Sequence, residues 1–425
     1  MCRYNQASFF AGTLMEKTYS PYRWYLLVLV VLTNMLVVAI PAMGMSVLAK
    51  EISGDLRLNL VQVGVVWGAG ALPGIATGLL GGAFGDKLGP KRILVAGVLL
   101  TGLMGAARGL ANSFVSMATI TILLGALVPF ITMNGIKTCG MWFPPRQLGL
   151  ATGLISMGMA LGFLLGSLFS ATVLSPALGG WRNVLILYGL AGACLCLPWF
   201  FTRPLPAGQL AGADVAHHSI LKTVTHVSRV RNVWLLGLTL FGVGGCIQGL
   251  LGYLPLYLRT LGWDALQADG ALSAFHLVSM LFVLPIALWS DRLGSRKLLL
   301  FAAALLVALG SGLLSVAHGG LIWGGVLMAG LVRDAFMAIF LTMVVETGGV
   351  GPAYAGTAIG FTMAISGIGS VIAPPLGNSL AAFDAGAPFA FWAALAIFGT
   401  GCLVLVKKEA QDSGPVILDN ALEHM

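Results

Sequence analysis

Long, uninterrupted apolar runs dominate this sequence and leave few folds open to it. They span 24–48, 61–84, 93–111, 115–138, 149–173, 183–201, 233–257, 266–289, 298–317, 320–345, 354–381 and 387–406. Crossing a bilayer takes about 20 apolar residues of helix, so each run suffices for one passage. In hydrocarbon the backbone must satisfy its own hydrogen bonds, which makes the helix the solution for single runs of this kind. A fully water-soluble surface is excluded, because 9% of the 425 residues are charged against about 25% in soluble domains. The expectation is an all-α integral membrane protein with twelve transmembrane helices, and an even number of crossings puts both chain ends on one side. The first run exceeds the roughly 7–15 residue core of a signal peptide and is expected to remain in the mature protein.

The runs divide six and six around a polar stretch at 202–232 that carries Pro204, Pro206, His217, His218, Lys222, Arg229 and Arg231. The expected organisation is an N-terminal segment at 1–23, a six-helix bundle at 24–201, the linker at 202–232, a second six-helix bundle at 233–406 and a tail at 407–425. The two halves repeat one another. After the second run the chain reads Gly82-Ala-Phe-Gly-Asp86-Lys87-Leu-Gly89-Pro-Lys91-Arg92. After the eighth it reads Ala287-Leu-Trp-Ser-Asp291-Arg292-Leu-Gly294-Ser-Arg296-Lys297, an offset of 205. At offset 207, Gly149, Ala151, Gly153 and Gly162 fall on Gly356, Ala358, Gly360 and Gly369. Two independent matches at nearly one offset mark an internal duplication, and hence two pseudo-symmetric bundles.

The net charge of +8 comes from Lys and Arg scattered through short loops, not from the clustered basic face a nucleic-acid partner requires. Sixteen of the 23 fall on the side of the chain ends, five on the opposite side and two inside runs. The positive-inside rule then predicts cytoplasmic termini and a cytoplasmic linker. The six cysteines (Cys2, Cys139, Cys194, Cys196, Cys246 and Cys402) lie mostly within runs, without metal-type spacing, and read as small hydrophobes. No cofactor is implied.

The Asp-Lys/Arg-x-Gly-x-Lys/Arg loop suits a joint between helices better than a reaction centre. Its carboxylate can receive hydrogen bonds at a helix end, its glycine permits a sharp turn, and its basic pair holds to an anionic leaflet. With this loop at 82–92, its copy at 287–297 and the six-plus-six layout, the chain resembles the major facilitator superfamily of secondary transporters. Ala287 departs from the glycine the family prefers. The opening of the fifth run, Trp142-Phe-Pro-Pro-Arg146-Gln-Leu-Gly149, resembles members that handle organic or inorganic anions. The resemblance implies two halves rocking about a midplane site, with Asp86, Lys87, Gly89, Arg92, Asp291, Arg292, Gly294 and Arg296 as gating residues. It implies no enzyme. A Walker-type phosphate loop is absent from the sequence, which gives no support to ATP-driven transport.

Charges within a membrane cost at least about 2.5–3.5 kcal/mol at a helix centre, so the few present are informative. Arg333 and Asp334 lie near the middle of the tenth run, Lys137 in the fourth and His276 in the eighth. A guanidinium at mid-depth offers a forked, permanent charge to a carboxylate, making Arg333 the first candidate for the substrate anchor. Asp334, read here as the only carboxylate clearly inside a run, and His276 are the candidates for a proton-coupling group. Consecutive helical residues point about 100° apart, so Arg333 and Asp334 are not expected to pair. Lys137 either attracts an anion or snorkels to the interface. Asn34, Asn134 and Gln248 are further candidate substrate ligands, since the resemblance implies that the first, fourth, seventh and tenth helices line the cavity. Tyr253 and Tyr257 read as interfacial anchors, and Arg108 as reaching the outer interface.

The expected function is secondary transport of a small organic anion, such as a mono- or dicarboxylate, by a monomer in the inner membrane, with a co-transported proton left open. Two alternatives stand beside it: an exporter of amphipathic or drug-like compounds, and a receptor or scaffold that no longer transports. The fifth run carries no Gly-Pro pair, which the resemblance implies for drug exporters.

Overall fold

The computed structural model describes residues 21–203, 220–293 and 295–407. The outer parts of the two terminal segments, most of the linker, and Gly294 lie outside the described residues. Among the described residues the chain is helical throughout, with no strand. Eleven helices are long and apolar enough to cross a membrane by themselves: α1 Tyr22–Val47, α3 Pro90–Leu110, α4 Phe114–Trp142, α5 Gln147–Leu178, α6 Trp181–Phe200, α7 Arg231–Thr260, α8 Ala265–Ser290, α9 Arg296–Leu314, α10 Leu321–Val345, α11 Tyr354–Leu380 and α12 Ala387–Leu405. The twelfth passage, α2, runs as Leu60–Ala69 continued by Ala71–Leu88. A short helix, Ile220–Val227, precedes α7.

Local chemistry sets the ends. Asn59 and Ser113 start α2 and α4 with reciprocal capping boxes, which satisfy amide groups that no helical partner can reach. Gly89 joins α2 to α3 at φ +85°, a conformation glycine adopts without steric cost, and Pro90 then opens α3. Lys297 donates to the carbonyls of Val404 and Val406 at 2.8 and 2.6 Å, closing the end of α12.

Inside each half the helices approach over small residues, as membrane packing favours. A Cβ on Gly102 of α3 would lie 2.4 Å from the Ala193 amide of α6, and one on Gly242 of α7 would lie 2.3 Å from the Leu395 carbonyl of α12. Tyr253 and Tyr257 are buried, not interfacial as expected. Their rings sit 5.6 and 4.9 Å from Phe389, and the Tyr253 hydroxyl donates to the Ala385 carbonyl.

The halves meet most tightly on the side away from the termini, the far side. There Ser46 of α1 donates to the Leu251 carbonyl of α7 at 2.5 Å, and the Trp67 indole of α2 donates to the Gln248 carbonyl at 2.8 Å. Asn378 of α11 donates to the Leu60 carbonyl at 2.9 Å. Nearer the terminal side, added Cβ atoms on Gly74, Gly149, Gly153 and Gly356 would meet nothing within 4 Å.

Candidate functional site

The site is set by a break in α10. One helix ends at Leu331, the next begins at Arg333, and Val332 between them has φ −109° and ψ −3°. Gly330, just before the break, lies against α8 so closely that a Cβ would be 2.7 Å from the Phe275 carbonyl. The break opens a new helix N-terminus at mid-depth. Asp334 occupies its first turn, where a carboxylate is favoured by the helix dipole.

Ser279 of α8 clamps this N-terminus from both sides. Its hydroxyl donates to Asp334 Oδ2 at 2.8 Å and accepts from the Asp334 amide at 3.1 Å. Arg333 Nη1 donates to Asp334 Oδ1 at 2.9 Å. The two consecutive residues therefore pair, against expectation, because they open a helix instead of continuing one. The Arg333 guanidinium also lies 4.9 Å from the ring centroid of Phe163 on α5, within cation–π range, and its side chain stays 19% exposed. On the same Phe163 ring, His276 of α8 sits at 5.3 Å. His276 is 1% exposed, its Nε2 lies 3.2 Å from Met43 Sδ of α1, and its Nδ1 has no hydrogen-bond partner. One cluster thus joins α1 and α5 of the first half to α8 and α10 of the second.

Of the sequence-predicted residues, Arg333, Asp334 and His276 converge there. The others are placed elsewhere. Asn134 is fully buried; its Nδ2 donates to the Phe130 carbonyl at 2.8 Å, and its Oδ1 lies 1.9 Å from where a Cβ on Gly85 would stand. It fills the space against α2. Asn34 is buried and donates to the Val30 carbonyl at 2.9 Å, opening a π-helical turn at Asn34–Ala39. Gln248 and Lys137 are half-buried. Among the loop residues, Arg92 and Arg292 are exposed, while Arg296 pairs with Glu346 at 2.8 Å and ties α9 to the end of α10. The side chains of Asp86, Lys87 and Asp291, like Gly294, lie outside the described residues.

Two charged groups behave differently from expectation. Asp334 is not the only carboxylate within a helix span, because Asp269 sits fully buried in α8 and accepts from Arg259 Nη2 at 2.9 and 2.8 Å. Arg108 does not reach an interface; it is 3% exposed, with Nη1 at 3.1 Å from Met45 Sδ. Sequence reasoning also missed Phe163 and Ser279. Nothing separates Phe163 from the other aromatics of an apolar run, whereas Asp269 is visible in the sequence as a carboxylate within 266–289.

A family model described as Major Facilitator Superfamily matches residues 26–361 and, in a second match, 259–419. The chain belongs to the major facilitator superfamily. As a member it is a multi-pass membrane transporter and not an enzyme. It is similar to the 3-(3-hydroxy-phenyl)propionate transporter of Escherichia coli (strain K12), 26% identical over 82% of this chain and 87% of the relative. It is also similar to the gallate transporter of Pseudomonas putida, 25% identical over 89% and 92%. Among solved structures, a nucleoside transporter matches with TM-score 0.72 at 14% identity, over 91% of this chain and 100% of that one. A bacterial homolog of the human lysosomal transporter Spinster matches with TM-score 0.67 at 17% identity, over 91% and 95%. These structures share the superfamily's fold.

Proposed function

We propose that this transporter carries a small organic anion of the aromatic carboxylate class, with Arg333 as its anchor. The observation that carries the proposal is the Arg333 guanidinium, paired to Asp334 and laid over Phe163 at mid-depth. A guanidinium binds a carboxylate through parallel N–H groups, and an aromatic neighbour suits a flat substrate. The names of the relatives support that class, since 3-(3-hydroxyphenyl)propionate and gallate are both hydroxylated aromatic carboxylates. Lys137 and Gln248, both half-buried, remain secondary candidates, whereas Asn34 and Asn134 are buried against helix neighbours. The bias of basic residues towards the side of the termini supports cytoplasmic ends in the inner membrane, with the far side as the outer face.

Asp334 and the substrate carboxylate compete for one guanidinium. Protonating Asp334 weakens its hold on Arg333 Nη1 and leaves the fork to the substrate, so proton and anion load together. Symport follows from that competition, with Ser279 retaining Asp334 in place and His276 as the neighbouring titratable group.

The test is a thermal-shift titration of purified protein with 3-(3-hydroxyphenyl)propionate, gallate and a neutral sugar at two pH values. The aromatic acids are expected to raise the midpoint, and more so at the lower pH. Arg333→Ala should abolish the shift while keeping its ligand-free midpoint near the parent's. Asp334→Asn should bind with little pH dependence. An unchanged shift in Arg333→Ala contradicts the anchor, and an unchanged pH dependence in Asp334→Asn contradicts the coupling group.

A further inference from the structure

Three prolines lie in the second-half helices that face the first half across the far-side seam. Proline has no amide hydrogen, so each leaves a carbonyl four residues earlier without its helical donor. In α7, Pro255 does this to Leu251. In the helix Gly351–Leu380, which contains α11, Pro374 and Pro375 do it to Ser370 and Val371. A buried acceptor without a donor is unfavourable, and all three of these carbonyls are turned to the opposite half.

Ser46 of α1 donates its hydroxyl to the Leu251 carbonyl at 2.5 Å, with both residues buried. On α2, Gly68 comes so close that a Cβ would stand 2.9 Å from both the Ser370 and the Val371 oxygens, an approach that permits Cα–H···O contacts. Gly64, one turn away, lies equally close to the backbone of Pro374 and Pro375. Ser46 and Leu251 are 205 residues apart, the offset of the repeated loops. Their bond therefore joins equivalent positions of the two halves, at the pseudo-symmetry axis.

We propose that these proline-freed carbonyls form the far-side latch of the transport cycle, and that Ser46 is the positioning residue that holds it. With the far side closed, Ser46 supplies the donor that Leu251 lacks and Gly68 packs over the other two carbonyls. With the far side open, water donates to all three, so release strands no acceptor and the latch stays weak enough to reverse. A charged pair in the same place would hold more firmly and be harder to part.

The test reads the seam without any substrate, so its outcome is independent of the anion assignment. In a variant whose native cysteines are replaced, Val63→Cys serves as reporter; Val63 is buried and lines the seam with Ser46 and Gly252. Labelling by a charged maleimide is timed on purified protein in nanodiscs. Ser46→Ala is expected to speed labelling about tenfold, the effect of losing one buried hydrogen bond. In a Pro255→Ala background the restored backbone amide can serve Leu251, and Ser46→Ala should then change labelling little. Equal acceleration in both backgrounds overturns the proposal. If Pro255→Ala does not fold, the isosteric pair Ser46→Thr and Ser46→Val decides. Ser46→Thr should label slowly and Ser46→Val fast, and equal rates for the two overturn the proposal.

Discussion

Arg259 Nη2 donates to both carboxylate oxygens of Asp269, with side chains 8% and 0% exposed. Breaking a buried pair from one side costs about 3–5 kcal/mol because a charge is left alone, whereas replacing both partners with apolar groups is often neutral. Asp269→Ala should therefore lower the thermal midpoint in detergent sharply, and Arg259→Met combined with Asp269→Leu should restore much of it. A double variant as unstable as the single one would show that the pair does more than satisfy itself. Intramembrane charge was the most legible residue-scale signal in the sequence. Arg333, Asp334 and His276 stand out because charge and imidazole are costly in a membrane. Phe163, which brings Arg333 and His276 to one ring, does not, since its composition matches the run around it. Tyr253 and Tyr257 misled because tyrosine near a helix end is equally suited to an interface and to a buried hydrogen bond such as the one to Ala385.

At the scale of the element, the twelve apolar runs located all twelve passages, because run length and the need to satisfy the backbone leave one solution. Turn residues marked the joins well, as at Gly89 and Pro90. The break at Val332 was not legible, because no proline or glycine occupies that position. It coincides with the pressure of α8 on Gly330, a contact between segments more than fifty residues apart. The pairing of Arg333 with Asp334 was missed for the same reason. Glycines can likewise be sorted only in three dimensions. A Cβ on Gly189 of α6 would stand 2.1 Å from the Ala106 amide of α3, while one on Gly153 of α5 would meet nothing. Gly189→Ala should thus destabilise the protein by about 1–3 kcal/mol through overpacking, and Gly153→Ala should be nearly silent. Thermal midpoints of the two variants check this, and equal losses would contradict the packing of α3 on α6.

For the whole molecule, the internal duplication separates two kinds of residue. Among the repeated parts, Gly162 and Gly369 lie tight against neighbouring helices while Gly149, Gly153 and Gly356 stand in open space, and in the second loop Arg296 ties α9 to the end of α10. The polar cluster is unrepeated and lies where the halves meet, so a ligand bound there touches both bodies that must move. Alternating access needs such a site to be open to one side at a time, and in this conformation the halves are tied together on the far side. The central claim is transport of an aromatic carboxylate anchored by Arg333. Its most direct test is uptake of radiolabelled 3-(3-hydroxyphenyl)propionate into proteoliposomes, with an inward proton gradient, by the parent protein and by Arg333→Ala. The account predicts gradient-driven accumulation by the parent and background uptake by the variant. Equal uptake by the two proteins would contradict it.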